Sequence, residues 1–79
     1  MVDIDTDKID EAVLALLHLT LHDLFRAWKG HNWDALDRLH RKGMIDDPVG
    51  KAKSVVLTDR GLAESERLFR KLFARVPGA

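Results

Sequence analysis

The chain has 79 residues, no cysteine, and thirteen Lys or Arg against thirteen Asp or Glu. This length predicts a single domain over residues 1–79, and the lack of cysteine excludes disulfides and thiolate zinc sites. A net charge of zero gives no global attraction to nucleic acid or anionic lipid. Any binding of that kind would have to come from a local excess of positive charge.

The same composition bounds the location and the chemistry. No apolar run approaches the roughly 20 residues needed to span a bilayer, and the acidic start MVDIDTDKIDE lacks the basic region of a signal peptide. We therefore expect a cytoplasmic protein. The sequence has no glycine-rich phosphate loop and no nucleophile beside a base, so we expect neither an enzyme nor a cofactor.

The first predicted element is an apolar helix from about Asp7 to His22. Asp5, Thr6 or Asp7 can cap its N-terminus. Its apolar residues recur at i, i+3, i+4 and i+7 spacing: Ile9, Val13, Leu16, Leu17, Thr20 and Leu24. A helix this apolar is either central in the domain or shared between two chains.

The segment 23–32 is ambiguous. It fits the frayed end of the first helix, or one short helix that ends at Gly30. Asn32 then caps a second helix from Trp33 to Lys42, and Gly43 ends it. The predicted buried side chains here are Trp33, Ala35, Leu36 and Leu39. Trp28 is also predicted in the core, and the alternative is that it covers the open side of the domain or lines a partner groove.

A two-stranded hairpin and a last helix complete the prediction. Met44–Ile45 begins one strand, residues 46–50 supply turn chemistry, and Ser54–Thr58 is β-rich. Thr58 can cap the last helix, which is expected to end at Pro77-Gly78. The apolar face of this helix gathers Leu62, Leu68, Phe69, Leu72, Phe73 and Val76.

A motif spans Leu36 to Gly61. Its residues are Leu36, Leu39, Lys42-Gly43-Met44-Ile45 and Leu57-Thr58-Asp59-Arg60-Gly61. This pattern resembles the L..L..KG.I … LT..G frame of winged-helix regulators such as the MarR and PadR families, with Asp46 to Lys53 in the position of the wing. More of the chain looks like a small uncharacterised bacterial domain family.

The resemblance implies an α+β winged helix-turn-helix fold, with three main helices and one short two-stranded antiparallel hairpin. It also implies a DNA-associated, regulator-like role. A full winged helix carries a separate helix before the recognition helix. Here only about ten residues lie between His22 and Trp33, so either Asp23 to Lys29 serves as a stunted helix or this element is missing. The second case would leave Trp33 to Lys42 without the scaffold that presents a recognition helix to the major groove.

Four basic residues are the candidate contacts to duplex DNA. Lys51 and Lys53 lie at the wing tip, and Arg38 and Arg41 lie on the second helix. The alternative is a salt-bridged solvated helix, because each arginine follows an aspartate by four residues, at positions 34 and 37. Two carboxylates near the start of a recognition helix would also repel DNA.

Self-association is the competing prediction, as a homodimeric protein-interaction module without DNA binding. The predicted interface comprises Leu19, Leu68, Phe69, Leu72 and Phe73. The alternative is that the first and last helices simply pack on each other to form one core.

The histidines offer one further pattern. Glu11, His18 and His22 share a predicted helix face, and His18-x3-His22 is a workable spacing for two metal ligands. Histidines on the polar side of a helix are more often surface or interface residues, so we predict no metal site.

Overall fold

A computed structural model describes residues 2–50 and 52–75 of the chain. Its elements follow in the order α1 (Thr6–Leu19), β1 (Arg26–Trp28), α2 (Trp33–Arg41), β2 (Ser54–Val56) and α3 (Asp59–Phe73). The predicted α+β class, with three helices and a two-stranded antiparallel sheet, is confirmed. Lys51 and the predicted helix end at Pro77-Gly78 lie outside the described residues.

The sheet pairs different segments from those predicted. β1 runs antiparallel to β2, with Arg26 opposite Val56. Met44–Ile45, predicted as the first strand of a hairpin, contributes only an isolated bridge from Ile45 to Leu57. The Asp46 amide donates to the Val56 carbonyl at 2.9 Å. The next donor in this antiparallel ladder would be residue 48, which is proline and has no N–H, so the pairing stops there.

Both helical interpretations of residues 23–32 were wrong. α1 ends at Leu19, and the chain reverses through Asp23 and Leu24, whose φ angles of 50° and 72° are left-handed. The His22 and Arg26 backbones exchange hydrogen bonds of 2.8 and 3.0 Å across this turn. The turn therefore ends the helix and directs the next residues into β1, where tertiary pairing overrides local helix propensity.

The helix starts follow the sequence closely. Asn32 Oδ1 accepts the Ala35 amide at 3.0 Å, and Thr58 Oγ1 accepts the Gly61 amide at 3.0 Å. Both residues were predicted as N-caps, and both cap their helices. At the other end of α2, Gly43 has a φ of 78°, the left-handed conformation that follows many helices.

α1 packs against both other helices, and the core lies between them and the inner side of the sheet. The buried stripe of α1 is rotated from the predicted one, because Ile9 and Leu16 lie at its exposed edge. The buried apolar residues are Val13, Leu14, Ala15, Leu17, Ala27, Ala35, Leu36, Leu39, Ile45, Val55, Leu57 and Leu68. Asp10 is buried among them, a charged residue inside an otherwise apolar stripe.

The two tryptophans are the largest error in the predicted core. Trp28 is 59% exposed and Trp33 is 56% exposed. Side chains alternate along a strand, so the inward position of Ala27 forces Trp28 outward. Trp33 is the first residue of α2 and lies outside the buried face formed by Ala35 and Leu36.

Candidate nucleic-acid interface

A buried carboxylate engages two of the basic residues of the second helix and its end. Arg38 Nε donates to both oxygens of Asp10, at 2.9 and 2.8 Å. Lys42 Nζ donates to Asp10 Oδ2 at 2.8 Å and to Asp7 Oδ1 at 3.0 Å. Asp10 is 1% exposed. This cluster therefore joins α1 to α2 from within.

The electrostatics of the cluster favour its charged form. Burial raises the pKa of Asp10, but hydrogen bonds and charges from Arg38 and Lys42 outweigh burial and hold that pKa below its usual value. The hydrogen bond to Asp10 in turn raises the pKa of Arg38 and of Lys42. These three groups carry one negative and two positive charges, and the carboxylate of Asp7, which also bonds Lys42, balances the remaining positive charge.

Both arginines of α2 thus form ion pairs within the chain. Arg38 was predicted to pair with Asp34, and instead bonds Asp10, because its side chain lies against α1 and is only 24% exposed. Arg41 pairs with Asp37 at 2.8 Å, as predicted. Each arginine is therefore paired with an aspartate of the chain, Arg38 in a partly buried pair and Arg41 in an exposed one.

A separate groove lies where β1, the start of α2 and the loop before β2 meet. Its volume is about 330 Å³. The residues that line it are Trp28, Lys29, Gly30, Trp33, Gly50, Ala52 and Lys53. No acidic side chain is among the described residues of this lining, in a chain whose net charge is zero. We call this feature the tryptophan groove.

Lys29 fixes the geometry of the tryptophan groove. Its Nζ donates to the carbonyl oxygens of Pro48 and Gly50, at 2.9 and 3.0 Å. The same Nζ lies 5.7 Å from the centre of the Trp33 ring, within the range of a cation–π contact. An ammonium has three donors, so one remains for a ligand after the two carbonyls. Lys29 thus holds the loop, contacts one tryptophan and keeps its charge at the groove.

The predicted DNA contacts are distributed unevenly around this groove. Lys53 lines it, and its carbonyl accepts the Lys29 amide at 3.2 Å. Arg38 and Arg41 do not line it, and Lys51 is not among the described residues.

The sequence prediction missed Lys29 and Trp33 as lining residues, and it gave a partner groove only as the alternative for Trp28. Trp28-Lys29 and Trp33 stand on either side of Gly30 in the sequence. Aromatic and basic residues interleaved around a glycine were the available signal.

The residues of the predicted dimer interface fall into buried and exposed groups. Leu68 is 2% exposed and belongs to the core of the single chain, so it offers no surface to a partner. Phe69 packs against that core and against the His18 ring, with centroids 5.0 Å apart. Leu19, Leu72 and Phe73 remain exposed at the ends of α1 and α3.

The histidines are separated from each other by the fold. α1 ends before His22, which pairs with Asp23 in the following turn. His18 stacks on Phe69 instead. Within residues 2–50 and 52–75, no three His, Cys, Asp or Glu side chains form a group that could hold a metal ion.

Comparison with known proteins gives a family. Residues 5–75 match the model of a domain of unknown function, DUF6429. The chain belongs to the DUF6429 family. The match includes α1, the Asp10 cluster, the tryptophan groove and α3. The family description carries no activity, so the site must be interpreted from its own chemistry.

One similar protein extends the match over nearly the full length. The chain is 64% identical over 74 residues to the uncharacterized protein y4hR of Sinorhizobium fredii (strain NBRC 101917 / NGR234). The alignment covers 94% of this chain and all of that protein. No solved structure matches this DUF6429 chain significantly. None of the helices in its described part is long and apolar enough to cross a bilayer.

Proposed function

We propose that this chain is a small winged-helix-type module that associates with DNA through the tryptophan groove. The observation that carries the proposal is the composition of the groove. It combines two exposed tryptophans with Lys29 and Lys53 and lacks acidic side chains among its described residues. Locally concentrated positive charge attracts the phosphate backbone even when the whole protein is neutral.

The arrangement of elements supports the winged-helix part of the proposal. α2 is followed by residues 46–50 and 52–53, which lie outside helices and strands, and then by β2, the order in which a recognition helix and wing succeed each other. Lys29, the residue directly after β1, holds this segment through its side-chain hydrogen bonds to the Pro48 and Gly50 carbonyls. The tryptophan groove therefore lies between the start of α2 and the described residues that precede β2, which supports a contact surface shared by these two segments.

The Asp10 cluster changes which residues we propose as contacts. Arg38 and Arg41 are paired with aspartates, so the proposed contacts are Lys29 and Lys53, together with Trp28 and Trp33. With about two phosphates neutralised, affinity should fall about tenfold between about 50 and 200 mM salt.

Charge reversal at the groove tests this proposal. We expect Lys53→Glu to abolish or strongly weaken binding of labelled DNA at low salt, measured by fluorescence anisotropy. Lys8→Glu makes the same charge change on exposed α1, and we expect it to retain binding. Absence of DNA binding by the unmodified chain at about 50 mM salt would contradict the proposal.

A homodimeric protein-interaction module is the second candidate. It is favoured by Leu19, Leu72 and Phe73, apolar side chains that the single chain leaves exposed near the ends of α1 and α3. Leu19 alone is 63% exposed. A second copy covering these residues would bury apolar surface that one small domain cannot.

Sedimentation measures this association directly. We expect a species of twice the monomer mass at tens of micromolar, and its loss in Leu19→Glu because a charge would enter the interface. Val49→Glu places the same charge on an exposed apolar residue of the loop before β2, and we expect it to leave the dimer intact. A monomer at these concentrations would rule out this candidate.

A further inference from the structure

We infer that the tryptophan groove binds single-stranded DNA, with unpaired bases stacked on Trp28 and Trp33. This inference rests on the proposed function and specifies the form of its ligand. Its starting observation is that both tryptophans of the chain stand exposed at the same groove, in a protein that has only two.

Exposed aromatic rings have a specific use in nucleic-acid recognition. Proteins that bind single strands combine a positive groove with aromatic side chains on which successive bases stack. Trp28 is held by strand pairing, because β1 pairs with β2 on one side. Its amide also donates to Thr20 Oγ1 at 3.1 Å. Trp33 is held at the start of α2 beneath Lys29 Nζ. The backbones of both residues are thus held within regular structure, and both side chains are more than half exposed.

The charges around the groove fit the same occupant. Lys29 and Lys53 supply two cations that can face phosphates, while the tryptophans supply apolar faces for bases. An acidic peptide would meet the lysines equally well, but it would not supply planar rings for both tryptophans. The pairing of aromatic faces with cations therefore favours a single strand over an acidic peptide.

Duplex DNA fits the described surface less well. Readout of a duplex needs side chains on a helix that enters the major groove. On α2, Arg38 is bonded to buried Asp10, Arg41 is paired with Asp37, and Asp34 and Asp37 are exposed carboxylates. The bases of an intact duplex are also stacked on each other, so their faces are closed to Trp28 and Trp33.

The described lining offers no side-chain acceptor that would select RNA over DNA. The side chains that line it, among the described residues, are those of tryptophan, lysine and alanine. None of these carries a hydrogen-bond acceptor, so a ribose 2′-OH would find no side chain to receive its proton. A deoxyribose strand loses nothing by this arrangement.

Intrinsic fluorescence tests the inference, since both tryptophans report from the groove. The full chain is titrated with labelled oligothymidylate, oligouridylate and a hairpin duplex at low salt, with anisotropy and tryptophan emission measured together. We expect the tightest binding and quenched emission with oligothymidylate. Trp28→Ala and Trp33→Ala should each weaken that binding about fivefold or more, through the loss of one base stack.

Two further variants separate stacking from folding. Trp28→Phe and Trp33→Phe keep an aromatic face and should recover much of the binding lost in the alanine variants. Leu24→Ala removes an exposed apolar side chain outside the groove and should bind normally. Circular dichroism of each variant confirms the fold before binding is compared.

Each outcome has a definite meaning. Tighter binding to the duplex, unaffected by the alanine variants, would overturn the inference and leave the proposed function standing. Tighter binding to oligouridylate would overturn the assignment to DNA. Absence of binding to all three would overturn the inference and the proposed function together. Quenching by polyglutamate in place of any oligonucleotide would assign the groove to an acidic polypeptide and overturn both.

Discussion

Gly61→Ala is expected to destabilise the chain more than any other glycine substitution in its described part. A Cβ at Gly61 would lie 1.8 Å from the Met44 carbonyl oxygen and 2.7 Å from its carbon. Both atoms belong to the backbone and cannot move aside as a side-chain end would. We expect a loss of about 3 kcal/mol or more in the free energy of unfolding.

The same carbonyl explains why the contact is so close. The Met44 oxygen accepts the Thr58 amide at 3.0 Å and the Thr58 hydroxyl at 3.2 Å. These bonds hold the end of the α2 region against the first turn of α3. An added methyl must push that carbonyl away, which weakens both bonds and tilts α3. Position 61 therefore requires glycine because the Met44 backbone approaches it closely, and not because of its own dihedral angles.

Thermal and urea unfolding of Gly61→Ala beside Gly30→Ala measures the effect. At Gly30 the nearest atom to an added Cβ is 3.9 Å away, an ordinary contact, so we expect little change there. In a domain of this size, each kcal/mol lost lowers the melting temperature by about 4–8 °C. Equal melting temperatures for the two variants would contradict this reading of the Met44 contact.

The helices were predictable because their signals are local. Asn32 and Thr58 have side chains that cap the backbone two or three residues ahead, so sequence alone locates both helix starts. Likewise, apolar residues spaced along α3 identified Leu62 and Leu68 as inward-facing. Such features depend on residues that are close in sequence, so they can be predicted without knowledge of the rest of the fold.

The errors arose where residues far apart in the sequence determine the local structure. Arg26–Trp28 forms a strand because β2, nearly thirty residues later, pairs with it. Arg38 has Asp34 at helical spacing, but Asp10 lies 28 residues away in sequence and offers a buried carboxylate. Arg38 contacts Asp10 rather than exposed Asp34 because a buried carboxylate needs close charged donors, which Arg38 supplies together with Lys42. Sequence spacing alone does not show whether Arg38 will contact Asp34 or Asp10.

The tryptophans of the candidate site were predicted as core residues for the same reason. Tryptophan is usually buried, and the sequence offered no sign that β1 would point Trp28 outward. Once the strand exists, alternation alone places Ala27 inside and Trp28 outside. The groove is thus a consequence of the sheet, and the sheet depends on pairing between segments far apart in the chain.

Asp10→Asn is expected to have the second large effect on stability. The substitution preserves size but removes the anion that receives Arg38 Nε and Lys42 Nζ. Two cations would then face a neutral group inside the interface between α1 and α2. Breaking a buried ion pair typically costs about 3–5 kcal/mol, and partial exposure of both cations reduces this to about 2–3 kcal/mol here.

The effect should depend on pH in a definite direction. The pKa of Asp10 in the folded chain lies below its ordinary value of 3.8. A lowered carboxyl pKa stabilises the fold fully above the unfolded value, and this stabilisation is lost as the pH falls through the folded one. The difference in unfolding free energy between the unmodified chain and Asp10→Asn should therefore be large near pH 7 and shrink below about pH 4.

Asp37→Asn supplies the matched control. Asp37 and Arg41 are also 2.8 Å apart, but both are well exposed, so solvent screens the pair and its loss should cost less than about 1 kcal/mol. Urea unfolding of both variants is measured at neutral and acidic pH. Because the two ion pairs have the same length, a difference in lost unfolding free energy reports the effect of burial. If the two substitutions cost the same, or if the Asp10→Asn difference persists in acid, the buried cluster does not stabilise the junction of α1 and α2. A large, acid-sensitive loss at Asp10 alone would mean that Arg38 contributes to stability through the buried carboxylate between α1 and α2.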